Sequence, residues 1–254
     1  VNTTGNNNAA VGHGALQSST TASYNTATGY QALKTNTTGY SNVASGFKAL
    51  FSNTTGIQNT AVGTESLENN TTAGQNTAIG NASLRLNTTG DNNVAMGWKA
   101  LYSNTTGTQN TAVGRDALYS NTTAAYNSAF GKDALYANTT GHSNTAVGRY
   151  ALRENTTGNY NTATGFESLR TITTGIENTA VGTFALKLTT GNSNTGVGYQ
   201  CLATNSTATN NAAVGTYCLY LNTTGGNNAA LGYGALQSNT TGSSSSAFGY
   251  QALK

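Results

Sequence analysis

The chain has 254 residues, a net charge of +3 and only 7% charged side chains, with no proline, 31 glycines and two cysteines. So thin a scatter of Lys and Arg excludes the clustered basic patch of a nucleic-acid binder. No run approaches the ~20 apolar residues that a membrane span needs, and no signal peptide is visible.

From Asn8 onward one 17-residue unit recurs: Asn-Thr-Ala-Val-Gly-x-x-Ala-Leu-x-x-Asn-Thr-Thr-Gly-x-x. We number its positions 1 to 17 from that Asn. Fifteen units fill the chain, with no composition shift or linker between them. A strict short period means that each unit is one layer, burying its apolar face only against its neighbours. Seventeen residues are too few for a helical hairpin repeat, and the apolar residues show no 3.6-residue pattern. The predicted fold is all-β, a parallel β-solenoid or β-roll of 15 coils, with neighbouring coils ~4.8 Å apart. Residues 1–254 are expected to form a single array.

Along each unit, position 1 is Asn in every coil but the last, where Ser245 stands. Stacked Asn amides can bond to the coils on either side. Position 3 is Ala except at Gly196, and position 8 is only Ala, Ser or Cys. Both are expected to point into a thin interior. Position 9 is Leu throughout, from Leu16 to Leu253, and is expected to be the main hydrophobic ladder. Position 5 is Gly throughout, which suggests positive φ or close backbone approach. Position 15 admits Ala at 22, 73, 124 and 208, so its φ need not be positive. Of the Thr pair at 13 and 14, one is expected inside and one in solvent; 14 is assigned to the interior. Parallel coils use every backbone N–H, which accounts for the absence of proline.

Position 4 varies too widely for a closed interior. Val11, Val62, Ile79, Met96, Val113, Phe130, Val147, Val181, Val214, Leu231 and Phe248 are therefore expected on an outer face as an assembly stripe. Aromatics at positions 6, 7 and 10 form further stripes. Phe47, Trp98, Tyr150, Phe166 and Phe184 are candidate ligand contacts; the alternative is that the rings only shield corners. Position 12 creates Asn-Thr-Thr acceptors at Asn36, Asn53, Asn87, Asn104, Asn121, Asn138, Asn155, Asn222 and Asn239. These are candidate glycosylation sites, or Asn residues that simply form the turn.

Two irregularities stand out. Ile172 replaces the expected Asn, and in the next unit Leu188 runs directly into Thr189, one residue short. This is either a tolerated turn deletion or a contact site. Cys201 and Cys218 both occupy position 8, one coil apart, and read as two buried thiols or a disulfide.

The segments Asn59–Leu67 and Asn110–Leu118 resemble the Ser-Val-Ala-Ile-Gly-x-x-Ala repeats of trimeric autotransporter adhesin heads. The unit is also similar to the Asn-Thr-Thr-Gly repeats of tail-fibre-like surface proteins of bacteria and phages. The resemblance spans the whole chain and implies a left-handed roll and a homotrimer whose apolar faces meet. It brings no catalytic residues. His13 and His142 lie far apart at unrelated positions, and the carboxylates are scattered outside. No enzyme activity, metal or cofactor is expected.

The ends carry no recognisable cap, and Lys254 leads in register into Val1, which suggests head-to-tail stacking. Three functions compete. The chain is the shaft or structural subunit of an extracellular fibre, its partner being itself. Or it is an adhesin or phage-type receptor-binding fibre, contacting surface glycans or host protein. Or it is an ice-binding solenoid. All three place it outside the cell, on a cell or virion surface, with no nucleic-acid partner and no membrane insertion.

Overall fold

The computed structural model describes residues 2–254. They form an all-β parallel solenoid that divides into two compact units, Val1–Tyr126 and Asn127–Lys254. In the first unit one three-residue strand per coil gives β1 (Ala9–Val11), β2 (Thr26–Thr28), β3 (Val43–Ser45), β4 (Thr60–Val62), β5 (Thr77–Ile79), β6 (Val94–Met96) and β7 (Thr111–Val113). The second has β8 (Ser128–Phe130), β9 (Thr145–Val147), β10 (Thr162–Thr164), β11 (Thr179–Val181), β12 (Thr195–Val197), β13 (Ala212–Val214), β14 (Ala229–Leu231) and β15 (Ser246–Phe248). Within each unit consecutive strands pair in parallel, and each residue faces its equivalent in the next coil. Register is fixed by the Ala at the centre of each strand. A slip of one would turn that Ala outward and drive a Thr or Val into a space made for a methyl group.

Hydrogen bonds between coils continue beyond the strands. Leu50 N–H donates to Ser66 O (3.0 Å), Thr54 N–H to Thr71 O (2.9 Å) and Gly63 N–H to Ser45 O (2.8 Å). Proline would delete such a bond at almost any position.

The interior is thin. Ala at position 3 is buried from Ala27 to Ala247, and Leu at position 9 from Leu33 to Leu236. Cys201 and Cys218 are buried free thiols. Equivalent residues of in-register coils lie ~4.8 Å apart, wider than the Cβ separation of about 3.8 Å that a disulfide prefers. The Cys201 thiol lies 3.3 Å from Ala213 O, to which it donates, and its bond with Cys218 together with burial pushes its pKa up. The coil that takes the larger Cys201 has Gly196 at position 3, where a Cβ would lie 3.1 Å from Leu186 Cγ.

Two Asn columns complete the interior. At position 1, Asn42 donates its backbone N–H (3.0 Å) and its Nδ2 (3.2 Å) to Asn25 Oδ1, and Nδ2 also to Gly56 O (2.9 Å). At position 12, Asn53 Nδ2 donates to Asn36 Oδ1 (2.8 Å) and to the same Gly56 O (3.0 Å). Two buried amides per coil thus converge on one carbonyl, and each also bonds its equivalent in the coil before, so desolvating them leaves little unsatisfied.

Position 12 therefore lies inside, and position 14 does not. Thr38, Thr55, Thr89 and Thr106 are exposed, which corrects the assignment of position 14 to the interior. Thr at position 13 is partly buried and donates its hydroxyl to the backbone of the next coil, as Thr54 does to Thr71 O (3.0 Å).

Each coil closes through four residues with positive φ. Gly at position 5 shows both expected properties: Gly97 has φ 135°, and a Cβ there would lie 2.6 Å from Gly114 O. Positions 9 and 17 adopt the left-handed region without glycine, as does position 7 except at Gly14 and Gly234; examples are Lys99 (φ 52°), Leu101 (φ 51°) and Gln109 (φ 55°). The left-handed region costs roughly 1–2 kcal/mol per residue. At position 9 the burial of Leu, at about 1.5–3 kcal/mol, offsets it.

Candidate functional site

Two outer faces carry different chemistry. The first is the solvent side of the sheet, where positions 2 and 4 flank the buried Ala and project outward together. Neither position holds a charged residue in any coil. Val11, Val62, Ile79, Met96, Phe130, Val147, Val181, Val214, Leu231 and Phe248 are exposed, as expected for position 4, and Val113 is half-buried. Position 2 adds Thr, Val, Ala and Ser beside them.

The second face is built from positions 6, 7 and 10, with 11 at its margin, and it carries almost all the charge. The exceptions are Asp91 and Glu177, at positions 16 and 17. Bases and acids pair along it. In the first unit Arg85 bonds Glu68 (2.8 Å) and lies 3.3 Å from Glu65, with Lys48 3.7 Å from Glu68. In the second, Glu167 receives Lys187 (2.9 Å) and Arg170 (3.2 Å). Burial alone would raise the Glu167 pKa, but these two bases hold it below the usual range.

Rings interleave with the charges. Trp98 has the Lys99 ammonium 4.4 Å and the Arg115 guanidinium 4.9 Å from its ring centre. Phe47 has Lys48 at 5.5 Å and stacks on Tyr30 at 5.4 Å. In the second unit Tyr150, Phe166 and Phe184 form one continuous line with Tyr199, Tyr217, Tyr233 and Tyr250, at centroid spacings of 5.4 to 6.3 Å.

The ring geometry follows from position alone. Rings at the same position in successive coils lie nearly parallel: 8° for Tyr30–Phe47, 3° for Tyr102–Tyr119 and 16° for Tyr233–Tyr250. Rings alternating between positions 6 and 7 tilt or meet edge-on, at 48° to 85° from Tyr150 to Tyr217. Translation along the solenoid carries a ring onto its own orientation. Alternation breaks that symmetry and gives the edge-to-face contact that ring quadrupoles favour.

Of the sequence-predicted sites, the stripe and the five aromatics lie on the surface as two separate faces, with Tyr150, Phe166 and Phe184 only partly exposed. The acceptor Asn residues do not form an outer edge. Asn36, Asn53, Asn87, Asn104, Asn121, Asn138, Asn155 and Asn222 are fully buried. Their Nδ2 groups donate to the carbonyl three residues on, as Asn104 does to Gly107 O (2.9 Å). A sugar on Nδ2 would replace a hydrogen that the coil uses and would need space the interior lacks. Asn239 is partly exposed, but its Nδ2 likewise bonds Asn222 Oδ1 (2.8 Å) and Gly242 O (3.0 Å). These residues close the turn from inside.

The left-handed positions 7, 9 and 17 were missed. Their signal is an absence: no Val, Ile or Thr stands at any of them in any coil, in a chain rich in Thr. β-branched residues are outliers in that region of φ.

No family model matches the chain, and no curated protein shows significant similarity to it.

Proposed function

We propose that this chain is a structural element of an extracellular fibre whose coils associate side by side through the charge-free sheet face. The observation that carries this reading is the segregation of chemistry: within each unit positions 2 and 4 of the sheet face hold no charged residue and most position-4 side chains are exposed, while nearly every charge lies elsewhere. An exposed apolar surface that recurs in most coils is an association surface. A second copy of the chain fits it, because two uncharged faces bury no unpaired charge when they meet. The homotrimer implied by the resemblance to adhesin heads is one such arrangement. The reading assigns no catalytic role to any residue.

The test is sedimentation velocity with negative-stain microscopy. The intact chain should form oligomers or fibres. Val62→Lys together with Val147→Lys should leave monomers with unchanged β content. A chain that stays monomeric at all concentrations overturns the reading.

The aromatic face favours a second reading, a receptor-binding fibre in which Phe47, Trp98 and their neighbours contact glycan or host protein. Glycan-array binding lost in Trp98→Ala would support it. For ice binding, position 14 offers one exposed Thr column, whereas the position-13 hydroxyls are spent on backbone carbonyls. A thermal-hysteresis assay decides that case.

A further inference from the structure

Position 10 carries a long side chain (Gln, Lys, Phe, Glu, Arg or Tyr) in every coil except one, where Ala203 stands. Truncation at one point of an otherwise filled column leaves a notch in the second unit. Its volume is ≈ 250 Å³, with Ala203 as its floor. Phe184, Leu188 and Tyr220 contribute apolar surface to its lining, and Lys187, Gln200 and Thr204 contribute polar groups. Leu188 belongs to the coil that lacks one residue, so the short coil and the notch coincide.

The walls are held in place before any ligand arrives. Phe184 is fixed edge-on by Phe166 (5.4 Å) and Tyr199 (6.3 Å), and Tyr220 by Tyr217 (5.6 Å, 89°). The Lys187 ammonium is anchored 2.9 Å from Glu167 and lies 4.8 Å from the Phe184 ring centre. That ion pair neutralises the one charge in the notch. An anion would compete with Glu167 for Lys187, and a cation would meet the ammonium, so the occupant is neutral.

Ligand sites for drug-sized molecules start at about 300 Å³, so this notch takes one ring rather than an extended ligand. It must satisfy apolar surface together with amide, hydroxyl and ammonium groups. A pyranose can meet both, with a C–H face and a hydroxyl rim. We propose that the notch over Ala203 is a binding site for a single neutral sugar ring, as a free hexose or as one residue of a glycan. The site does not depend on the fibre reading, since it lies on the other outer face and within one chain.

The test is saturation-transfer NMR on the full chain with D-glucose, D-galactose and N-acetyl-D-glucosamine as probes. Transfer to at least one of them is expected, and it should vanish in Ala203→Tyr. Tyr already occupies position 10 at Tyr102, Tyr119, Tyr136 and Tyr220, so this variant fills the notch with a residue the coil accepts. Lys34→Tyr, at the same position in the first unit, should leave transfer unchanged. Gln200→Ala leaves Ala203 in place and should weaken affinity about fivefold, the loss of one hydrogen bond. No transfer from any of the three sugars, or transfer that survives Ala203→Tyr, overturns the proposal.

Discussion

In the first unit the buried column at position 12 includes Ser19, whose hydroxyl has no hydrogen-bond partner, and from Asn36 it runs Asn53, Asn70, Asn87, Asn104, Asn121 without a break. In the second it runs Asn138, Asn155, Ile172, Thr189, Asn205, Asn222, Asn239. The first column is continuous: Asn70, Asn87 and Asn104 each donate to the Oδ1 of the coil before, at 2.8 to 3.0 Å. In the second, Ile172 has no side-chain N–H to give, and Asn155 Oδ1 is buried without a hydrogen-bond partner. Beyond it the chain repairs itself. Thr189 takes the buried place, its N–H donates to Leu186 O (3.2 Å) as the Asn residues do to their own Leu, and Asn205 Nδ2 donates to its hydroxyl (3.3 Å). The missing residue is thus displaced from the interior to the exposed position 14, between Thr190 and Gly191, where its loss costs least. The pair of columns shows that the interior tolerates an apolar member at the cost of one orphaned oxygen.

The strongest way to test that comparison is to copy the defect. Asn104→Ile would strand Asn87 Oδ1 and take the Oδ1 acceptor from Asn121 Nδ2. Each buried unsatisfied group costs ≈ 1–3 kcal/mol, so a loss of roughly 3 kcal/mol is expected after the gain from burying Ile. Hydrogen exchange should accelerate in the coils around residues 87–124. Next, Ile172→Ala should destabilise the second unit by about 2–4 kcal/mol, because Ile172 is fully buried and a cavity would replace it. Urea denaturation checks both, and a change under 1 kcal/mol in either would mean that the column contributes little.

Ile172→Asn sharpens the comparison further. It restores a donor to Asn155 but removes apolar burial of about 1.5–3 kcal/mol. The two nearly cancel, so stability should change by less than ~1.5 kcal/mol while exchange at Asn155 slows. The smallest effect is acid sensitivity. The Glu167 carboxyl is held below its ordinary value in the folded chain, so its contribution is full above the unfolded pKa. It is lost as pH falls through the folded value. Acid should loosen the coils bearing Glu167, Arg170 and Lys187, and Glu167→Gln should remove that part of the pH dependence in a melting series.

Much of this interior was legible in the repeat, because a position that admits only Ala, or only Leu, in every coil is reporting a fixed volume. Position 9 belongs to that class, position 3 does so except at Gly196, and positions 1 and 8 are nearly as narrow, Asn with one Ser and Ala, Ser or Cys. Position 12 was not legible as interior, because an Asn followed by two Thr reads equally well as a solvated turn, and only the paired amides justify its burial. Position 14 misled for the opposite reason: its Thr is invariant yet exposed. The notch at Ala203 was visible as an exception in one column, but its walls come from positions 7, 10 and 11 of its own and neighbouring coils. The spacing of the sequence does not bring those together; the coil does.

The Asn columns also have a sense. Along each one, one Nδ2 hydrogen of an Asn points to the Oδ1 of the coil before, as from Asn53 to Asn36 and from Asn42 to Asn25, while the other bonds a carbonyl. Aligned amide dipoles of this kind polarise one another, so each further coil strengthens those already in line. The stack is vectorial in the way a ratchet is. Within these columns the two coil surfaces are unlike, one offering side-chain donors and the other side-chain acceptors, and only a coil arriving in the same orientation can extend both columns.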